Sequence, residues 1–112
     1  MATGKAVPLE ETEDDMIKLG ELNDKTVLEN LRHRYLADSI YTSVGDILVT
    51  VNPFKLLALY TPEVVEQYLE GGEELPPHVF KVADLAYKQM RDLHQNQALI
   101  IAGDSGAGKT ET

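Results

Sequence analysis

Ala98-Leu99-Ile100-Ile101-Ala102-Gly103-Asp104-Ser105-Gly106-Ala107-Gly108-Lys109-Thr110 is the stretch on which the reading of this chain turns. It opens on an apolar run rich in β-formers. From Gly103 to Thr110 it fits the pattern G-x-x-x-x-G-K-[ST] at every fixed position. A buried strand feeding a glycine-rich turn is the context that pattern needs. At average composition, four fixed positions coincide by accident in a chain this short on the order of once in a few hundred sequences. The upstream run makes coincidence rarer. The competing reading is a glycine-rich tail that binds nothing; pattern and context together favour phosphate.

The chemistry follows from the charge of a triphosphate, which must be held in a compact space. A concave nest of backbone N–H groups does this without a broad positive field. Gly103, Gly106 and Gly108 can take φ > 0 and let the main chain approach the phosphates where a Cβ would collide. Asp104, Ser105 and Ala107 supply the rest of the loop. Lys109 is placed to reach the β- and γ-phosphates, and Thr110 to offer its hydroxyl to Mg²⁺, which keeps several waters and bridges phosphate oxygens. A helix following the loop would add its first-turn N–H groups; Thr110, Glu111 and Thr112 are its start.

Composition bounds the remaining options. The 112 residues, 43% hydrophobic and 26% charged, suit a globular domain. No run approaches the ~20 apolar residues of a membrane span, and the first residues lack the apolar core of a secretion signal. There is no cysteine, hence no disulfide or thiolate site. A net charge of −9 argues against nucleic-acid affinity and makes any phosphate binding local, from the nest and Lys109. The acidic runs at 10–15 and around Glu63 to Glu74 read as solvated faces and loops.

Residues 1–13 read as a disordered leader. Met16, Ile17, Leu19 and Leu22 then form a short apolar patch. A helix opens at Asp24 or Thr26, with Thr26-x-x-Glu29 as capping box and Leu28, Leu31 and Tyr35 on one face. Ile40–Val44 and Ile47–Val51, separated by Gly45-Asp46, predict a two-residue hairpin, ended by Asn52-Pro53. Thr61 caps a second helix with Pro62 at its first position and Val65, Tyr68 and Leu69 inward. A third, from about His78 to Leu93, carries Val79, Val82, Ala86, Met90 and Leu93. Met16 and Met90 read as core fillers. His33 reads as a surface residue, His78 as a helix start and His94 as a helix end; no pair has ligand spacing, so no histidine metal site is assigned. Ser39, Ser43 and Ser105 lack a nucleophile elbow, which weighs against serine hydrolase chemistry.

Several of these segments together resemble a myosin motor domain. They are Val27–Tyr35, Ile40-Tyr41-Thr42, Gly45–Val49, Val51-Asn52-Pro53-Phe54-Lys55, Pro77–Phe80 through Ala86-Tyr87, and Gly103–Thr110 followed by Glu111-Thr112. They stand in the family's order and spacing over about residues 14 to 112. Asp104 departs from the family's usual Glu, Ser43 from a common Tyr and Ala58 from a common Pro, which bears on base-pocket fit. The resemblance implies an α/β fold: the N-terminal fragment of a P-loop NTPase motor domain, with a β-hairpin plus phosphate-loop strand and flanking helices. It implies a leader over 1–13, a motor part over 14–112 truncated after the phosphate loop, and an unconventional type. It further implies an ATP- and Mg²⁺-dependent, actin-activated ATPase of the cytoplasmic actin cytoskeleton, with Asn52, Pro53 and Tyr60 bordering the adenine.

In that family the two switch loops, the actin-binding surfaces, the converter and the lever arm lie downstream of the phosphate loop. The expectation is therefore that residues 1–112 alone neither hydrolyse ATP at a motor's rate nor grip a filament, and fold marginally. The alternatives are a short non-catalytic nucleotide-binding or interaction protein, or part of another P-loop NTPase.

Overall fold

A computed structural model describes residues 12–72 and 74–112. The leader expected over 1–13 therefore lies, up to residue 11, outside the described residues. The chain divides into two compact units, Met1–Lys55 and Leu56–Thr112.

In the first unit Asp15 caps a 3₁₀ turn, Met16–Lys18, that buries Met16 completely. Helix α1 follows, Asp24–Leu36. Its cap is Asn23, whose Oδ1 accepts from the N–H groups of Lys25 and Thr26 at 3.0 Å, while Thr26 Oγ1 accepts from Asn23 N–H at 2.9 Å. This replaces the expected Thr26/Glu29 box. An asparagine just upstream outcompetes threonine as a cap, and Thr26 then serves as the return partner at the third helical position. The helix ends in a Schellman motif: Ser39 N–H donates to Arg34 O at 2.8 Å and Asp38 N–H to Tyr35 O at 3.0 Å, with Asp38 left-handed at φ 62°.

The apolar face of α1 is covered only in part, Leu31 and Tyr35 being half-buried. Leu28 is 66% exposed, and the buried residues of the helix are Thr26 and Asn30, four apart, with Arg34 half-buried one turn further. The row is polar because its task is to satisfy neighbouring backbone. Asn30 accepts from Glu13 N–H at 2.8 Å and donates to Glu13 O at 2.9 Å. Arg34 donates to Thr42 Oγ1 at 2.9 Å and to Tyr41 O at 2.8 Å. Burial pulls the Arg34 guanidinium below its ordinary pKa, against the opposing field of Asp14.

Strands β1 (Tyr41–Val44) and β2 (Ile47–Thr50) pair antiparallel, Tyr41 opposite Thr50 and Val44 opposite Ile47. Val51 N–H donating to Ile40 O extends the ladder by one bond. Gly45 takes φ +58° and Asp46 does not take a positive φ, the pattern of a type II′ turn. The other edge of β1 is covered where Ser43 N–H donates to Asp14 O at 2.8 Å. Ile40 and Tyr41 join Met16 in the core.

In the second unit helix α2, Pro62–Glu70, starts as expected, with Thr61 Oγ1 accepting from Val64 N–H at 3.3 Å. Helix α3 is Val79–Leu93. Tyr68 is the buried residue of α2 and donates its hydroxyl to Pro76 O at 2.7 Å. Of the other two residues expected inward, Val65 is 36% and Leu69 66% exposed. Both line a shallow groove of about 270 Å³ with Tyr68, Phe80, Ala83, Asp84 and Tyr87.

No described residue of α3 is fully buried, and Met90 and Leu93 stand about half open or more, so Met90 is no core filler. The larger correction concerns 98–102. The run forms no strand, and Leu99, Ile100 and Ile101 are all exposed. Its composition sets a preference for a strand; a ladder also needs a neighbour, and among the described residues the one ladder is β1–β2.

Candidate functional site

The glycine-rich loop has a definite backbone path. Ala107 N–H donates to Asp104 O at 3.1 Å, closing a turn, and Thr112 N–H donates to Gly108 O at 3.1 Å, beginning one helical turn. Thr112 Oγ1 donates to the same carbonyl at 3.0 Å. Gly106 at φ +83° and Gly108 at φ +99° hold left-handed geometry that an L-residue resists.

Gly103 does not take a positive φ, and a Cβ there would lie at ordinary contact distance, 3.4 Å from Ala107 Cβ and 3.5 Å from Lys109 Cγ. The loop thus folds back over its own first residue. A Cβ at Gly106, by contrast, would meet nothing within 4 Å. Lys109 and Thr110 are exposed at the surface of this turn, together with Asp104, Ser105 and Ala107.

The sequence also singled out Asn52, Pro53 and Tyr60. Asn52 Oδ1 accepts from Phe54 N–H at 2.8 Å, an Asx turn that carries Phe54 into left-handed geometry at φ 51°. These residues close the first unit, and Tyr60 lies in the second.

Tyr60 sits in an aromatic cluster that sequence reasoning missed. Its ring meets His78 edge-on at 5.5 Å and Phe80 at 5.9 Å between centroids, yet the residue stays 50% exposed. His78 is 3% exposed, packed also against Tyr68 at 4.9 Å and Phe80 at 4.3 Å. Both its ring nitrogens are engaged: Nδ1 accepts from Phe80 N–H at 2.9 Å, capping α3, and Nε2 lies 2.8 Å from Leu59 O. With Nδ1 accepting, the proton belongs on Nε2, so the ring is the neutral Nε2–H tautomer donating to Leu59. Burial pushes the His78 pKa below the ordinary histidine value, opposed in part by the Leu59 carbonyl. Pro76-Pro77 ahead of a helical run was the available signal, since a residue stopped from continuing a helix backwards is a natural cap.

Among the described residues no group of three His, Asp or Glu side chains could hold a metal ion. Nor, among them, is any helix long and apolar enough to cross a membrane.

The model of the family described as myosin head (motor domain) matches residues 13–112. The high molecular weight form of myosin-1 from Acanthamoeba castellanii is 47% identical over 104 residues, 92% of this chain and 7% of that protein. Unconventional myosin-IXa of Homo sapiens is 45% identical over 106 residues, 94% of this chain and 4% of its own. Unconventional myosin-VIIb of Mus musculus is 52% identical over 100 residues, 88% of this chain and 5% of its own. The chain therefore spans under a tenth of the length of these relatives. The matched span takes in the hairpin, the helices and the glycine-rich loop, and the chain belongs to the myosin head (motor domain) family.

Proposed function

We propose that this chain supplies the ATP-binding part of an actin-based myosin motor, which couples ATP hydrolysis to movement along actin filaments. The observation that carries the reading is the loop 103–110, with Gly106 and Gly108 left-handed and a helical turn opening at Gly108. Such a turn aims successive N–H groups into one concavity, the form of an anion nest. It fits a triphosphate: the turn is open above Gly106, and an ammonium and a hydroxyl follow on Lys109 and Thr110.

On this reading the backbone of Gly103, Asp104, Ser105, Gly106, Ala107 and Gly108 holds the phosphates. Lys109 offsets charge on the terminal phosphates, and Thr110 Oγ1 is the protein's ligand to Mg²⁺. A site with one protein hydroxyl suits magnesium, which takes its remaining ligands from phosphate and water. Bound there, the ion would neutralise charge on the β- and γ-oxygens. Asn52, Pro53 and Tyr60 border the base.

Hydrolysis also requires groups that orient the attacking water, and filament binding requires a surface; both are assigned to parts of the motor other than these residues. The net charge of −9 disfavours nucleic acid as a partner. The setting that fits is the cytoplasmic actin cytoskeleton. The test is calorimetric titration with ATP, with and without Mg²⁺. Magnesium-dependent binding that weakens at least about tenfold in Lys109→Ala is expected, the scale of one charge-assisted contact. Binding indifferent to both magnesium and Lys109 would overturn the reading.

A further inference from the structure

We infer that His78 is a positioning residue for the adenine base, acting through Tyr60; the inference rests on the nucleotide reading above and deepens it. Tyr60 is a surface ring with a job that needs a fixed orientation. Half of it is open, while its buried edge is set against His78 and Phe80 at 77° and 70°. A phenol ring with that exposure and no scaffold would sample several rotamers, and a base contacting it would have to bear the cost of ordering it.

His78 supplies the scaffold twice over. Its ring edge limits the Tyr60 rotamer, and its Nε2–H holds the Leu59 carbonyl at 2.8 Å, which fixes the peptide bond leading into Tyr60. Its Nδ1 is spent on the first turn of α3, so the whole assembly is referred to a 15-residue helix and not to a loop. Phe80 completes the wall from the same helix. The arrangement pre-orders the ring before any ligand arrives.

The two hydrogen bonds of His78 can be separated chemically. In His78→Asn the shorter side chain still accepts from the Phe80 N–H, since asparagine is a strong cap. It does not reach Leu59 O and presents no ring edge to Tyr60. The helix start is thus retained while the positioning is lost.

The experiment compares Mg-ATP with Mg-tripolyphosphate, which shares the phosphates but has no base, binding to the full chain and to His78→Asn, Tyr60→Ala and the double variant. His78→Asn is expected to weaken ATP about tenfold and leave tripolyphosphate unchanged. Tyr60→Ala should do the same, and the double variant no more than either alone. A loss equal for both ligands marks a merely structural histidine and overturns the inference while the phosphate reading stands. So does an additive loss in the double variant, or unchanged ATP binding in His78→Asn. If the unsubstituted chain binds neither ligand in a Lys109-dependent way, the phosphate reading fails and takes this inference with it.

Discussion

At the scale of single residues, the chain places its few buried polar groups where they are fully used. Among the described residues, no buried side-chain nitrogen or oxygen lacks a hydrogen-bond partner. Asn30 matches both its amide atoms to the backbone of Glu13, and His78 matches both ring nitrogens to backbone groups. The consequence for His78 is a pH dependence with a definite sign. Its folded-state pKa lies below 6.5, the unfolded value, because burial disfavours the charged ring, an effect the Leu59 carbonyl offsets only in part. Above pH 6.5 both states are neutral and stability is flat from this group. As pH falls below it, the unfolded chain takes up the proton first, binds more protons than the folded chain, and stability drops until the folded pKa is reached. Urea melts between pH 7.5 and 5.5 should show this slope, and His78→Asn should flatten it; a slope unchanged by the substitution would mean the ring is protonated as readily folded as unfolded.

At the scale of elements, the best-determined piece is the hairpin. Gly45 has open space where a Cβ would go, so its requirement is purely one of φ. Gly45→Ala is expected to cost about 1 kcal/mol, the penalty of left-handed backbone for an L-residue. A D-alanine at the same site should restore or exceed the original stability, measured by thermal or urea melts. Equal effects of the two enantiomers would show that the turn does not hold its type II′ geometry.

The hairpin was also the element most legible in the sequence. Two β-rich runs around Gly45-Asp46 fix both strands and register locally, and Thr61-Pro62 fixes the start of α2 in the same way. The inward face of α1 was not legible. Periodicity searches for apolar rows, and here the most covered row is polar: Thr26 caps the helix locally, while Asn30 and the half-buried Arg34 bond backbone of Glu13 and Tyr41 that the fold brings near. The run 98–102 was legible as a β-former by composition, but no local signal states whether a partner strand is at hand. The glycine-rich loop divides between the two cases. Its motif announced the left-handed positions at Gly106 and Gly108, while the packing of Ala107 and Lys109 against Gly103 depends on how the loop closes.

At the scale of the whole molecule, the buried apolar residues Met16, Ile40, Tyr41 and Tyr68 are outweighed by large exposed ones. Phe54 is 83%, Leu56 101% and Ile100 91% exposed. Open apolar surface on this scale goes beyond the isolated exposed residues that need no explanation. The glycine-rich loop is the exception, because its geometry comes from its own turns, closed by Ala107 N–H to Asp104 O and Thr112 N–H to Gly108 O. The claim that this loop grips a nucleotide through its main chain is tested most directly by ¹H–¹⁵N correlation spectra of the full chain during titration with Mg-ATP. The largest shifts are expected at the amides of residues 103–110, with Gly106 and Gly108 among them, and are expected to be lost in Lys109→Ala. Shifts confined to other residues, with those amides unmoved at saturating ATP, would contradict it.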